Sequence, residues 1–253
     1  MQPAIPSRSR VPAGNTATCW LKLIALVFMF IDHAGKIFFP AVPEMRILGR
    51  IAFPLYVWCL VVGFHYTRSV PRYLLRILLT GLISQPLYMR ALDHTWTEPN
   101  IFLTLLLGLL ALWGIRENKA GSRIWAPVLM IFLATLLNAN YGWRGVLLVI
   151  LLYAVRDSRP GIAAVMVAYF LFWGTSYSVT STLFGFRLGI SDLPAFLSQP
   201  LGAFLRLETY ALLSLPFILI PFRRDLAMPR WVGYALYPAH LALIILLRAL
   251  IPA

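Results

Sequence analysis

The stretch Trp20–Pro40, WLKLIALVFMFIDHAGKIFFP, decides the fold. About 20 mostly apolar residues in an α-helix cross the hydrocarbon core of a bilayer. No small-residue cleavage site closes the run, so it reads as an uncleaved first span and not as a signal peptide. The preceding residues, Met1 to Thr18, are polar and rich in Pro and Ser. They read as a disordered cytoplasmic tail. Residues 19–253 then read as a single transmembrane helical domain.

Outward from this run the composition agrees. The chain is 60% hydrophobic and only 12% charged, against about 25% charged in an ordinary soluble domain. A soluble fold of this size cannot hide so much apolar surface. The expected fold is therefore all-α, a polytopic transmembrane helical bundle. Apolar runs separated by Pro, Gly and charge place about nine spans: Trp20–Pro40, Arg46–Tyr66, Arg72–Met89, Asn100–Ile115, Ile124–Asn138, Tyr141–Val155, Gly161–Tyr177, Phe204–Phe222 and Trp231–Leu250. The segment Ser178–Gly202 fits a loop, a half-helix or a re-entrant piece equally well.

Charge orients the bundle. The net charge is +13, which in a soluble domain would suggest nucleic acid. Here the basic residues fall in every second loop: Arg8, Arg10 and Lys22; Arg68, Arg72 and Arg76; Arg116, Lys119 and Arg123; Arg156 and Arg159; Arg223, Arg224 and Arg230. That alternation is the positive-inside pattern, and it puts the N-terminus in the cytoplasm. Membrane lipid, not nucleic acid, is the expected surroundings. Cys19 and Cys59 form no CxxC pair and carry no disulfide framework. There is no convincing internal repeat, which weakens an inverted-repeat transporter.

Ionisable groups inside a span cost about 2.5–3.5 kcal/mol on insertion scales, so each is a candidate for function. The first span carries Asp32, His33 and Lys36, which lie in the outer half if the helix starts inside. Asp32 and Lys36 are four residues apart and share a face. Asp32 and His33 point ~100° apart, so Asp32 suits a cross-helix partner such as Arg50 and leaves His33 free for proton work. The plainer alternative is a charge-neutralising cluster that only fixes helix contacts. His240, in Tyr237-Pro238-Ala239-His240, lies near the middle of the last span, where Pro238 frees backbone carbonyls. It serves equally as a hydrogen-bonded interior histidine. His65 reads as structural and His94 as a solvated loop residue. Arg68, Arg72 and Arg76, with Tyr73, could grip a phosphorylated cofactor from inside, although anchoring at the inner face explains them more simply. Gln85, Asn100, Thr104, Tyr141, Gly142 and Gly145 read as polar lining on the outer side.

Several of these residues resemble the TraX family of conjugal-transfer membrane proteins. The opening Leu21-Lys22-Leu23-Ile24-Ala25-Leu26 running into Ile31-Asp32-His33 is similar, as is Gly49-Arg50-Ile51-Ala52-Phe53-Pro54-Leu55. So are Gly63-Phe64, Tyr66-Thr67-Arg68, Tyr73-Leu74-Leu75-Arg76, Ser84-Gln85-Pro86, Tyr234, Tyr237-Pro238 and His240. The likeness covers both ends, and the middle by hydropathy alone.

The resemblance implies a multi-pass protein of the bacterial inner membrane that acetylates the N-terminus of a pilin subunit, with acetyl-CoA as donor and no metal. Other components of the conjugation secretion system would be further partners. An α-amino group has a pKa of ~7.7–8.0, and a histidine can take its proton during attack. On this reading His33 is the base, Asp32 an orienting group, Arg50 or Lys36 the oxyanion stabiliser, and His240 a second proton-transfer group. Arg68, Arg72, Arg76 and Tyr73 would hold the donor. Lys36, Gln85, Asn100 and Tyr237 would line the acceptor site. The acyl group would reach the outer half by a tunnel or through an acyl-histidine. Two other functions stay open from the sequence: a non-catalytic chaperone for pilin assembly, and a proton-coupled transporter using Asp32 and His33.

Overall fold

Leu, Ile, Val, Phe and Ala follow one another in runs bounded by Pro, Gly and charge, and the chain resolves these runs into helices. The computed structural model describes residues 11–251. The helices are α1 (Thr18–Ile37), α2 (Pro43–Gly49), α3 (Ala52–Tyr66), α4 (Val70–Leu92), α5 (Ile101–Glu117), α6 (Ser122–Leu136), α7 (Gly142–Ala154) and α8 (Arg159–Gly174). They continue with α9 (Ala195–Phe204), α10 (Leu215–Leu219) and α11 (Arg230–Leu250). A two-stranded antiparallel hairpin, β1 (Thr182–Leu183) and β2 (Phe186–Arg187), departs from the all-α expectation. It lies with α9 in the segment that the sequence left open.

Four helical stretches are long and apolar enough to cross a membrane: Thr18–Ile37, Pro43–Tyr66, Lys119–Leu136 and Trp231–Leu250. Their surfaces support this use. The outer face of α4 exposes Leu75, Leu78, Leu79, Leu82 and Ile83, and that of α6 exposes Trp125, Val128, Leu129, Phe132 and Leu136. These faces repeat at helical spacing and point away from the core. A protein apolar both inside and out is built for lipid. The chain is a membrane protein.

Two local breaks matter for the site. The span expected at Arg46–Tyr66 is split into α2 and α3. Pro54 has no N–H for the Arg50 carbonyl, and the amides of Arg50 and Ile51 bond three residues back, to Ile47 and Leu48. The span expected at Phe204–Phe222 is a 3₁₀ helix, Leu207–Ser214, running into the short α10. Pro216 at the start of α10 accounts for the change of pitch.

The core runs through the middle of the bundle, with Trp58, Phe64, Phe170, Leu109, Leu148 and Ile218 fully buried. One end of the bundle, here the Asn15 end, gathers the segments around Ala13, Arg116, Arg156, Ile218 and Asp225. The expected tail is shorter than residues 1–18. Ala13 N–H donates to the Arg156 carbonyl at 2.7 Å, Asn15 N–H to Ile218 at 2.6 Å, and Trp58 Nε1 to the Asn15 carbonyl at 2.8 Å. These bonds fasten the residues before α1 across the end of the bundle. The tail expectation for residues 1–10, with Arg8 and Arg10, lies outside the described residues. The other end, the His33 end, carries the site.

Candidate functional site

α1 delivers Asp32 and His33, both buried, close to its C-terminal end. α2 folds back against this end of α1. Contact is possible because residue 49 is glycine: a Cβ there would fall on the Asp32 carboxyl group. The close approach lets two arginines reach one carboxylate. Arg46 Nη1 donates to Asp32 Oδ2 at 2.6 Å, and Arg50 Nη2 to Asp32 Oδ1 at 2.8 Å. Arg50 Nη1 meets a second acid, Glu208 Oε1, at 2.9 Å. Glu208 is buried on the 3₁₀ helix, and Thr209 Oγ1 ties that helix to the Ala203 carbonyl at 3.0 Å. A chain of charges, Arg46–Asp32–Arg50–Glu208, thus joins α1, α2 and the 3₁₀ helix. Ion pairs buried this far survive because each charge has a hydrogen-bonded opposite.

His33 takes no part in that chain. Its Nδ1 lies 3.2 Å from Nε2 of His240 on α11, with the ring centroids 5.3 Å apart and the planes 22° from parallel. The other ring nitrogen of His240, Nδ1, is buried and has no hydrogen-bond partner among the described residues. With a proton on that nitrogen, His240 Nε2 accepts from His33 Nδ1–H, and His33 Nε2 keeps a free lone pair.

Asp32, His33, Arg46 and Arg50 open on a cavity of about 520 Å³, walled also by Tyr56, Tyr88, Tyr141, Arg144, Glu208 and Tyr237. It opens among exposed Asn138, Asn140 and Tyr177 at the His33 end. Tyr141 is held by stacking on Phe53, centroids 3.7 Å apart. Four cations, Lys36, Arg46, Arg50 and Arg144, face two carboxylates, Asp32 and Glu208, across this space. His240 stands behind His33, outside the lining.

The structure therefore brings Asp32, His33, Arg50, His240, Lys36 and Tyr237 to one place. Lys36 does not pair with Asp32, as four-residue spacing suggested, because Arg46 and Arg50 already take both carboxylate oxygens. Lys36 Nζ instead meets His94 Nε2 at 3.0 Å and the Leu92 carbonyl at 3.3 Å. His94 is consequently no free loop residue. It stacks on Tyr88 and pairs with Glu98 at 3.1 Å.

Gln85 and Asn100 lie outside the cavity. Asn100 N–H donates to Gln85 Oε1 at 2.9 Å, Asn100 Nδ2 to the Gly81 carbonyl at 2.8 Å, and Asn100 Oδ1 caps Phe102 N–H at 3.0 Å. They build the α4–α5 corner, and their polar capacity is used there.

Arg68, Arg72, Arg76 and Tyr73 sit toward the Asn15 end, away from the cavity. Arg68 and Arg72 are exposed. The Arg76 guanidinium lies 5.9 Å from the Tyr73 ring centroid and 6.0 Å from that of Tyr234. Beside them is a narrow groove of about 50 Å³, lined by Lys22, Cys59, Tyr73, Gly233 and Tyr234 and reaching Tyr56 and Tyr237. Those last two tyrosines also line the large cavity. Among the described residues no group of three or more His, Cys, Asp or Glu side chains could hold a metal ion.

Sequence reasoning missed Arg46, Glu208 and Arg144. Glu208 was detectable, since it is an acid inside an apolar stretch and obeys the rule that picked out Asp32. Arg46 and Arg144 lie at the ends of the expected spans Arg46–Tyr66 and Tyr141–Val155, where an arginine draws no attention.

Comparison with known proteins adds a family. The TraX family ("TraX protein") matches residues 17–248. The chain is 31% identical over 165 residues to the probable fimbrial assembly protein FimC, serogroup H1, of Dichelobacter nodosus, covering 60% of this chain and 66% of that one. It is 32% identical over 156 residues to the protein TraX of Escherichia coli, covering 58% and 62%. An uncharacterised protein, RP591, of Rickettsia prowazekii is 33% identical over 98 residues, covering 39% and 37%. The chain thus spans less than two thirds of the length of these relatives. No solved structure matches.

Proposed function

The chain belongs to the TraX family, and on that premise we propose that it is an inner-membrane acyltransferase that acetylates the N-terminus of a pilin subunit. The names of its relatives, TraX and a fimbrial assembly protein, support a pilin-related role in conjugation or fimbrial assembly. The observation that carries the enzymatic reading is His33. It is a buried histidine facing a polar cavity, with one nitrogen backed by His240 and the other free.

In the proposed reaction the pilin amine attacks the thioester carbonyl of acetyl-CoA. The C–N bond forms, the C–S bond breaks, and the thiolate leaves. His33 Nε2 takes the amine proton and returns it to the leaving sulfur. His240 keeps the tautomer of His33 that can do this. Arg50 is held in place by Asp32, Glu208 and the Arg46 carbonyl, and oxyanion stabilisation is assigned to the more exposed, cavity-lining Lys36. The donor would approach past Arg76, Tyr73 and Tyr234. The narrow groove and the cavity lie on either side of Tyr56 and Tyr237, which line both, and this favours a passage through the bundle over an acyl-histidine. We take the chain to cross the membrane about nine times with its N-terminus inside. Beside the four long stretches, the helices α4, α5, α7 and α8 and the 3₁₀ stretch with α10 supply five further segments for that count.

The test is the intact mass of the cognate pilin in cells with and without this protein. The wild type adds one acetyl increment, and His33→Ala, inserted at normal level, adds none. Modified pilin in the His33→Ala strain would overturn the role of His33. A second reading has one observation in its favour. Asp32, Arg50 and Glu208 saturate one another, as a purely structural cluster would, which suits a non-catalytic pilin chaperone. That reading requires pilin of unchanged mass that is lost from the membrane on deletion.

A further inference from the structure

Between α8 and the 3₁₀ helix the chain leaves the bundle for residues 175–206. This excursion exposes more apolar surface than a water-facing loop tolerates. Phe184 and Phe186 on the hairpin are 72% and 76% exposed, and Phe196, Leu197, Leu201 and Phe204 line the outer face of α9. Their spacing, at i, i+1, i+5 and i+8, keeps them on one side of the helix. From Leu188 to Leu205 the only charged residue is Asp192.

The hairpin tip adds a second indication. Phe184 and Gly185 both have positive φ, 50° and 77°, as a type I′ turn requires. Asn or Gly normally occupies the first of these positions, and a bulky residue there is strained. An aromatic side chain is thus presented at the tip where backbone preference would choose a small one.

We propose that the hairpin and α9 form an amphipathic anchor that lies in the headgroup layer of the leaflet at the His33 end. Three observations select lipid as the occupant. The patch is continuous with the outward face of α8, against which α9 packs and where Phe172 is also exposed. A two-stranded hairpin leaves outward N–H and C=O groups that hydrocarbon cannot satisfy, so the segment cannot sink deeper. Its phenylalanines oppose bulk water, so it cannot rise. The interface meets both demands.

The anchor is also tied to the site. The Phe184 N–H donates to the Glu44 carboxylate in the first turn of α2, the helix that ends at Arg50. Tyr177, just before the hairpin, lines the cavity. The mouth of the cavity therefore sits at lipid-headgroup level. This inference rests on membrane insertion and is independent of the chemistry proposed above.

The test is depth measurement by spin labelling of the full chain in phosphatidylethanolamine–phosphatidylglycerol vesicles. Phe184→Cys and Phe196→Cys are each labelled in a Cys19→Ser, Cys59→Ser background. Phe132→Cys on the lipid face of α6 and Thr97→Cys in an exposed loop are the references. Labels at 184 and 196 are expected to collide with oxygen more than the Thr97 label does and with a polar nickel reagent less. Their depth should fall between the two references. Labels as open to the nickel reagent as at Thr97 would overturn the proposal. So would labels shielded from both reagents, which would mean a protein partner or a second copy. A Phe132 label that itself reads as aqueous would overturn membrane insertion, a separate failure.

Discussion

Arg50 directs its Nε, Nη1 and Nη2 donors to three different elements: the Arg46 carbonyl, Glu208 and Asp32. Only a planar guanidinium has enough donors in a fixed fork for this. Lysine keeps the charge and loses the bridge, so Arg50→Lys should lower thermal stability in detergent. Arg50→Met leaves Asp32 short of one partner and Glu208 without its arginine, and should cost about 3–5 kcal/mol, the usual penalty for breaking a buried pair. Arg46, whose side chain is 35% exposed, should tolerate Arg46→Lys far better; equal losses at both positions would refute the bridging role. A second residue responds to pH. The Thr95 N–H, first, and the His94 side chain hold the Glu98 carboxyl below the ordinary glutamate range. A depressed carboxylate contributes stability that is complete above its unfolded pKa, about 4.3, and lost as pH falls through the folded value. The 93–100 corner should accordingly stay closed through that ordinary range and open only in stronger acid. Hydrogen exchange at Thr95 reports this, and Glu98→Gln should abolish the pH dependence.

At the scale of elements, α1 and α2 meet through Gly49. Gly49→Ala places a methyl group against the Asp32 carboxyl, which two arginines already hold. Overpacking of this kind costs about 1–3 kcal/mol, and here it also pushes α2 off the cavity wall. Gly233, in the first turns of α11, is the comparison. A Cβ there meets only the flexible ends of Met228 and Lys22, at 3.7 and 3.8 Å. Gly233→Ala should be neutral or stabilise the helix by up to about 1 kcal/mol. Unfolding of the two variants side by side decides the matter, and a neutral Gly49→Ala would remove the close-approach argument. The element boundaries show what a sequence can and cannot disclose. Helical spacing marks α1, α4, α6 and α11 clearly. The break between α2 and α3 and the 3₁₀ pitch of Leu207–Ser214 depend on Pro54 and Pro216 acting in tertiary context, so apolar runs alone read straight through them.

For the whole molecule, legibility followed the cost of burying charge. Asp32, His33, Arg50 and His240 stand out in apolar stretches because each is expensive there, and the fold gathers them around one cavity. Arg46 and Arg144 do not stand out, since an arginine at the end of a span costs little and its reach becomes visible only when helix ends converge. Gln85 and Asn100 misled for the opposite reason: polar atoms in spans are also spent on capping a corner. The same charge logic yields a prediction about the entire bundle. If the chain crosses about nine times, the loops at the Asn15 end, with Lys119 and Ser158, share one face of the membrane. Those at the His33 end, with Thr97 and Ser181, share the other. In a Cys19→Ser, Cys59→Ser background, Thr97→Cys and Ser181→Cys should react with a membrane-impermeant maleimide applied to cells whose outer membrane is permeabilised. Lys119→Cys and Ser158→Cys should react only after the inner membrane is opened. Labelling of either latter site in sealed cells breaks the alternation, and reversal of both pairs inverts the orientation. An inverted chain would turn the cavity toward the cytoplasm, where acetyl-CoA could reach His33 directly and no passage through the bundle would be needed.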